Sequence, residues 1–245
     1  MRNVKLTIEY DGTRYVGWQV QPNGVSVQEV VQNAIAAVTG EQDVKLIGSG
    51  RTDAGVHAAG QTASFRTDTS IPAEDLVPAI NTKLPDDIAA LDAEDVPDDF
   101  HARYSATSKT YRYSILNRRV RSPLARARAH LVRRPLDVGA MQAAARHLVG
   151  EHDFAAFQSK PDGRPSVRTV TRLEVEAEGP YVRITVSANG FLYNMVRAIA
   201  GTLTEVGLGR RAADSLPGLI ASLDRSTAGP TAPPQGLCLL EVEYD

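Results

Sequence analysis

Val4, Leu6, Ile8 and Tyr10 share one parity, and Lys5, Thr7 and Glu9 the other. This is the two-residue period of a half-buried strand, and Asp11-Gly12 supplies the turn that ends it. The period then changes. In SVQEVVQNAIAAVTG, Val27, Val30, Val31, Ala34, Ile35 and Val38 fall on one side of a helix. Ser26 and Glu29 form a capping box at its start, and Gly40 stops it. DVKLIGSG predicts a strand running into a glycine-rich loop, and GQTASFRT the strand that leaves it. IPAEDLVPAINTKL predicts a short helix with Pro72 near its start, and IAALDAEDV a further extended piece.

The second half repeats this order. KTYRYSILN is a strand with Tyr111, Tyr113 and Ile115 on one side. DVGAMQAAARHLVG is a helix with Asp137 as N-cap and Gly150 as stop. TVTRLEVEAEGPYVRITVSAN is a hairpin turning at Glu178-Gly179-Pro180. FLYNMVRAIAGTLTEVG is a helix, TAGPTAPPQG a loop, and LCLLEVEYD the closing strand. The fold class is therefore α+β, with two related units, 1–105 and 106–245. Each is a mostly antiparallel sheet with its helices on one face.

Composition narrows the setting. Apolar residues make up 42% of the 245, as in an ordinary globular chain. No run approaches the ~18 apolar residues of a membrane span, and MRNVKLTIEYDG lacks the apolar block of a secretory signal. Cys238 is the only cysteine, which excludes an internal disulfide and a cysteine zinc cage. A cytoplasmic protein without a membrane partner is expected. The net charge of -2 predicts no polyanion partner, but its distribution does. Between Phe100 and Leu136 there is no acid and there are ten Lys or Arg, with Tyr104, Tyr111 and Tyr113 interleaved. That pattern suits a phosphate backbone with stackable bases.

GSGRTDAGVHA, Gly48 to Ala58, carries the candidate chemistry. It fails as a dinucleotide fingerprint, because the third glycine position holds Asp53, and no Gly-Lys-Ser/Thr is present. The five histidines fall in no zinc-binding pattern, so no metal is expected. His57 lies four residues from Asp53, but no Gly-x-Ser-x-Gly elbow completes a hydrolase. Asp53 remains as a turn residue or as a reactive carboxylate with a cation beside it. The three glycines already supply pliable backbone, so a turn alone leaves Arg51 and Asp53 unexplained.

GRTDAGVHA, EYDGTRYVGWQVQ, VPDDFHARYSATSKTYRY, GEHDFAAF and NGFLYNMVRAIAGTL together closely resemble the tRNA pseudouridine synthase A family. The resemblance implies two ferredoxin-like halves in one continuous, mostly antiparallel sheet, with an active-site cleft between them. It implies a homodimeric, cofactor-free isomerase that converts uridine to pseudouridine at positions 38, 39 and 40 of the tRNA anticodon stem-loop. By the same resemblance Asp53 is catalytic. Arg51 holds the flipped base out, Tyr111 lies against it, and Arg197 pairs with the aspartate. Phe100, His101, Ala102, Arg103, Tyr104, Arg119, Lys160, Pro161, Asp162, Gly163 and Arg164 fall where the family contacts RNA. The rival readings are a non-catalytic RNA-binding module, which has no use for Asp53, and a hydrolase using Asp53 with His57.

Overall fold

The computed structural model describes residues 1–161 and 163–245. In chain order its elements are β1 (Arg2–Tyr10), α1 (Val27–Thr39), β2 (Ile47–Gly48), β3 (His57–Thr67), α2 (Ala73–Asn81), β4 (Ile88–Val96), β5 (Ala106–Asn117), β6 (His130–Val132), α3 (Val138–Arg146), β7 (Gly150–Asp153), β8 (Val167–Glu178), β9 (Tyr181–Ala188), α4 (Met195–Gly207), α5 (Leu216–Ser222) and β10 (Leu237–Tyr244). The chain forms two compact units, Met1–Thr107 with Leu239–Asp245, and Ser108–Cys238. Among the described residues no helix is long and apolar enough to cross a membrane.

In the first unit β1 is the centre. It pairs antiparallel with β3 on one side and β4 on the other. The far edge of β3 is shared by the short β2 and by β10. The order β4-β1-β3-β2, threaded β-α-β-β-α-β, is the ferredoxin-like arrangement. The period-two pattern of β1 puts Val4, Leu6 and Ile8 wholly out of solvent, opposite Phe65, Ala63 and Gln61 of β3. Val27, Val31 and Ile35 of α1 and Leu76 and Ile80 of α2 are buried with them. As the sequence predicts, the Ser26 hydroxyl accepts from the Glu29 amide at the start of α1. Gly40 closes that helix in the left-handed region, φ 77°.

The second unit has the strand order β5-β9-β8-β7, all antiparallel, with β6 added parallel to β5. Its succession β5, α3, β8, β9, α4 repeats that of the first unit, and α3 packs on α4 and on β8. Asp137 caps α3 by accepting from the Ala140 amide at 2.9 Å. The hairpin turns at Gly179-Pro180, with Glu178 paired to Tyr181.

Three expectations change. α3 ends at Arg146, so Gly150 does not stop it; at φ 109° Gly150 opens β7 instead. α4 begins at Met195, because Asn194 before it takes a left-handed φ of 63°, which leaves Phe191 and Leu192 outside the helix. The strand expected over DVKLIGSG shortens to Ile47–Gly48, although Val44 and Leu46 before it are buried.

Candidate active site

The loop between β2 and β3 carries Arg51 and Asp53, and it is held at nearly every residue. Ser49 donates its amide to the Thr62 carbonyl at 2.8 Å, and its hydroxyl to Gln61 Oε1 at 2.7 Å. Gln61 Nε2 donates back to the Gly50 carbonyl. The Val56 amide donates to the Asp53 carbonyl at 3.1 Å, which closes a four-residue turn. Gly55, its third residue, has φ 77°, a value that excludes most side chains. Gly48 and Gly50 are not in that region. The pliability expected of all three glycines therefore belongs to Gly55 alone.

The segment following β1 clamps the loop from the other side. The Tyr10 hydroxyl meets Thr52 Oγ1 at 2.8 Å in the buried interior. The Trp18 amide donates to the Thr52 carbonyl at 3.1 Å, and Gly17 pairs as a β-bridge with Asp53. A Cβ on Gly17 would stand 2.5 Å from the Thr52 carbonyl oxygen, so only glycine allows the approach. EYDGTRYVGW is thus the frame of the loop, a function that sequence reading left unassigned. Its signal was the pair of glycines beside a tryptophan, directly after a strand. Within the loop Arg51 is exposed, Thr52 buried and Asp53 half-buried, so the alternation turns both charged side chains away from the frame. His57 is buried; its Nδ1 accepts from the Gly12 amide at 3.1 Å. Asp11 Oδ1 lies 3.2 Å from the same nitrogen. An Nδ1 that accepts from the Gly12 amide carries no proton for Asp11, so the amide bond is the one that fixes the ring.

Phe100–Tyr104 crosses the face of the sheet that carries Lys5 and Ser64, a pair in register. Its residues have opposite roles. Phe100 packs against Tyr244 at 5.0 Å between ring centroids. Ala102 is wholly buried, donates its amide to Ser64 Oγ and accepts from the Tyr244 hydroxyl at 2.7 Å. Between and beyond these anchors Arg103 and Tyr104 are exposed, while His101 is half-buried and its Nδ1 accepts from their amides. Tyr104 is 77% exposed, its ring 4.4 Å from that of His101, with the Arg103 guanidinium 5.6 Å from its centroid. Phe100 and Ala102 make their contacts toward the sheet, and Arg103 and Tyr104 are the exposed members of the segment.

In the second unit Tyr111 lies on β5 with 8% of its surface exposed, and its ring is set nearly perpendicular to that of Phe191, 5.1 Å between centroids at 85°. Arg197 on α4 donates Nε to the Ala232 carbonyl at 2.7 Å and NH1 to Asn194 Oδ1 at 2.9 Å. α4 is buried almost all round, Arg197 and Glu205 being half-exposed. Gly201 of α4 lies against the proline-rich loop. A Cβ on Gly201 would fall 1.7 Å from the Pro230 carbonyl oxygen, and the Gly229 amide donates to Thr202 Oγ1 at 2.9 Å. That loop in turn holds Arg197 through the Ala232 carbonyl. Arg119, Lys160, Pro161, Gly163 and Arg164 are exposed; Asp162 lies outside the described residues.

The sequence profile described as tRNA pseudouridine synthase matches residues 6–105 and 144–245. The chain is 52% identical over 245 residues to "tRNA pseudouridine synthase A" of Thermoanaerobacter sp. (strain X514), covering all of both chains. It is equally similar, over the same coverage, to the protein of that name from Geotalea uraniireducens (strain Rf4). Among solved structures, it is 12% identical to a chain of the archaeal box H/ACA sRNP Nop10-Cbf5 complex at a TM-score of 0.37, covering 82% of this chain and 43% of that one. A similarity that slight bears on neither fold nor function. The full-length relatives and the profile decide the matter: the chain belongs to the tRNA pseudouridine synthase A family, a family of isomerases.

Proposed function

We propose that this protein isomerises uridine to pseudouridine at positions 38, 39 and 40 of the tRNA anticodon stem-loop, with Asp53 as the nucleophile. The observation that carries the reading is the held loop. A half-buried aspartate stands beside an exposed arginine on backbone fixed by side chains and amides from β1, β3 and the segment after β1. A turn has no need of that support, whereas a reacting carboxylate depends on it, since a displacement of about 1 Å can cost a hundredfold in rate. The reaction breaks a C–N glycosidic bond, turns the uracil and forms a C–C bond. Atoms and electrons balance without an oxidant or water, so the chemistry requires no cofactor.

A uridine stacked in a stem must leave the stack, at a cost of a few kcal/mol. Arg51 is assigned to hold the extruded nucleotide. Tyr111, with its ring fixed by Phe191, offers a flat face and a hydroxyl to the base. Arg197 is assigned to keep the aspartate ionised. His101, Arg103 and Tyr104, with Arg119 and the exposed Lys160, Pro161, Gly163 and Arg164, supply phosphate and stacking contacts. The reading includes a homodimer in the cytoplasm, and solution mass tests the first part. Asp53→Asn is the direct experiment. It should bind tRNA as the wild type does and form no pseudouridine. An Asp53→Asn protein with full activity would remove Asp53 from the chemistry.

A further inference from the structure

We propose that Tyr10 and Thr52 are a positioning pair for the reaction: the Tyr10 hydroxyl, bonded to Thr52 Oγ1, sets the direction in which Asp53 and Arg51 are presented. The inference rests on the reading of Asp53 as the reacting group.

The argument begins with backbone geometry. Arg51, Thr52 and Asp53 alternate exposed, buried and half-buried, so Thr52 points inward while its two neighbours point the other way. Whatever fixes Thr52 therefore aims both charged residues at once. Thr52 is fixed at two points. Its carbonyl accepts from the Trp18 amide at 3.1 Å, and its hydroxyl meets Tyr10 at 2.8 Å. The first contact sets the position of the peptide. The second sets its rotation, because it acts on the side chain, off the chain axis. A carboxylate sits roughly 4–5 Å from the Thr52 Cα, so a rotation of roughly 15° there moves it by about 1 Å.

Tyr10 is suited to this task. It ends β1, is 2% exposed, and its ring lies 6.0 Å from that of Trp18 at a 30° tilt. Its strand neighbour Ile8 is fully buried. The hydroxyl is thus the polar end of a side chain locked in the core, and two torsions are enough to define where it points. Tyrosine in place of phenylalanine at the end of an apolar strand face has a purpose only through that oxygen. Threonine in place of valine at position 52 has the same meaning, since the two differ by one hydroxyl of similar volume.

The test uses the intact protein and substrate tRNA, with Tyr10→Phe, Thr52→Val, Thr52→Ser, the Tyr10→Phe/Thr52→Val double variant and Asp53→Asn in one assay. Tyr10→Phe and Thr52→Val should each lower kcat by about tenfold or more, with KM for tRNA changed less than about twofold. Thr52→Ser, which keeps the hydroxyl, should recover most of the rate. The double variant should be no slower than the slower single variant, as for two halves of one contact. The buried indole of Trp18, the only tryptophan, reports by its emission whether the frame stays folded. Full kcat in Tyr10→Phe, or Thr52→Ser as slow as Thr52→Val, would overturn the inference. So would losses matched by the fraction unfolded. If Asp53→Asn is inactive while Tyr10→Phe and Thr52→Val are not impaired, only the positioning role fails. An active Asp53→Asn would defeat the reading of Asp53 itself.

Discussion

The indole of Trp18 occupies the space that any side chain on Gly48 would need. A Cβ built on Gly48 would stand 2.3 Å from Trp18 Nε1 and 2.6 Å from Cε2. Gly48 has an ordinary φ, so it is glycine here for room and not for backbone freedom. The indole is 1% exposed and belongs to the frame that holds the Asp53 loop.

Gly48→Ala must therefore displace a rigid ring. We expect the over-packing cost of about 1–3 kcal/mol, read as a lower midpoint in thermal unfolding. A larger fall in pseudouridine formation should accompany it, together with a change in Trp18 emission. Gly40→Ala is the control. Nothing lies within 4 Å of that position, so it should cost only the strain of its left-handed φ and leave the emission unchanged.

Anchor and display within Phe100–Tyr104 should separate in experiment. Tyr104→Ala removes a ring that is 77% exposed and tilted against His101. It should weaken tRNA binding by about 1–3 kcal/mol, the worth of one stacked base, with the unfolding midpoint unchanged. Phe100→Ala removes the ring packed on Tyr244. It should lower the midpoint, by an amount near the low end of core truncations, about 3 kcal/mol or less. Titration with tRNA and thermal unfolding, run on both variants, check the contrast.

The strands and caps were legible because their signals are local. The alternation of β1, the Ser26 and Asp137 caps and the Gly179-Pro180 turn all lie within a few residues of the structure they specify. β6 and β7 were not read, being three and four residues long, too short for a period to register. α4 was placed four residues early, because Phe191 and Leu192 extend its apolar pattern while Asn194 breaks its backbone. At the site the sequence singled out Asp53 but not what holds it. The Thr52–Tyr10 contact joins residues 42 apart, and no spacing rule reaches that far. Gly48 was read as pliable backbone because a close approach to an aromatic ring leaves the same letter in the sequence.

Alkaline pH should loosen the segment that displays Tyr104. Burial pushes the Tyr244 hydroxyl up to about 12 from its ordinary 10, and hydrogen bonds with Thr62 and Ser49 oppose the shift. The folded protein then keeps a proton that the unfolded chain has lost, so between about pH 10 and 12 stability falls as pH rises. Below pH 10 the contribution is complete. Tyr244→Phe should flatten that part of the stability profile. It should also lower stability at neutral pH, because the Ala102 carbonyl loses its donor. Denaturant unfolding at pH 8, 10 and 11 distinguishes the two effects.

Gly201 and Arg197 should be coupled although no direct contact between them is needed. Gly201 lets the Pro230 carbonyl come against α4, and two residues of chain later the Ala232 carbonyl accepts from Arg197 Nε while the Ala232 amide donates to the Arg197 carbonyl. A methyl group at position 201 cannot coexist with an oxygen 1.7 Å away, so Gly201→Ala must push the 229–233 loop off the helix. Arg197 then loses the acceptor that orients its guanidinium. We expect the rate of pseudouridine formation to fall by about tenfold or more, with tRNA affinity little changed. Arg197→Ala should be slower still, and Gly201→Ala should add almost nothing to it if the loop acts on the chemistry through that side chain. If the two losses simply multiply, the loop affects activity by some other route, and the assignment of Ala232 as the guide of Arg197 is wrong.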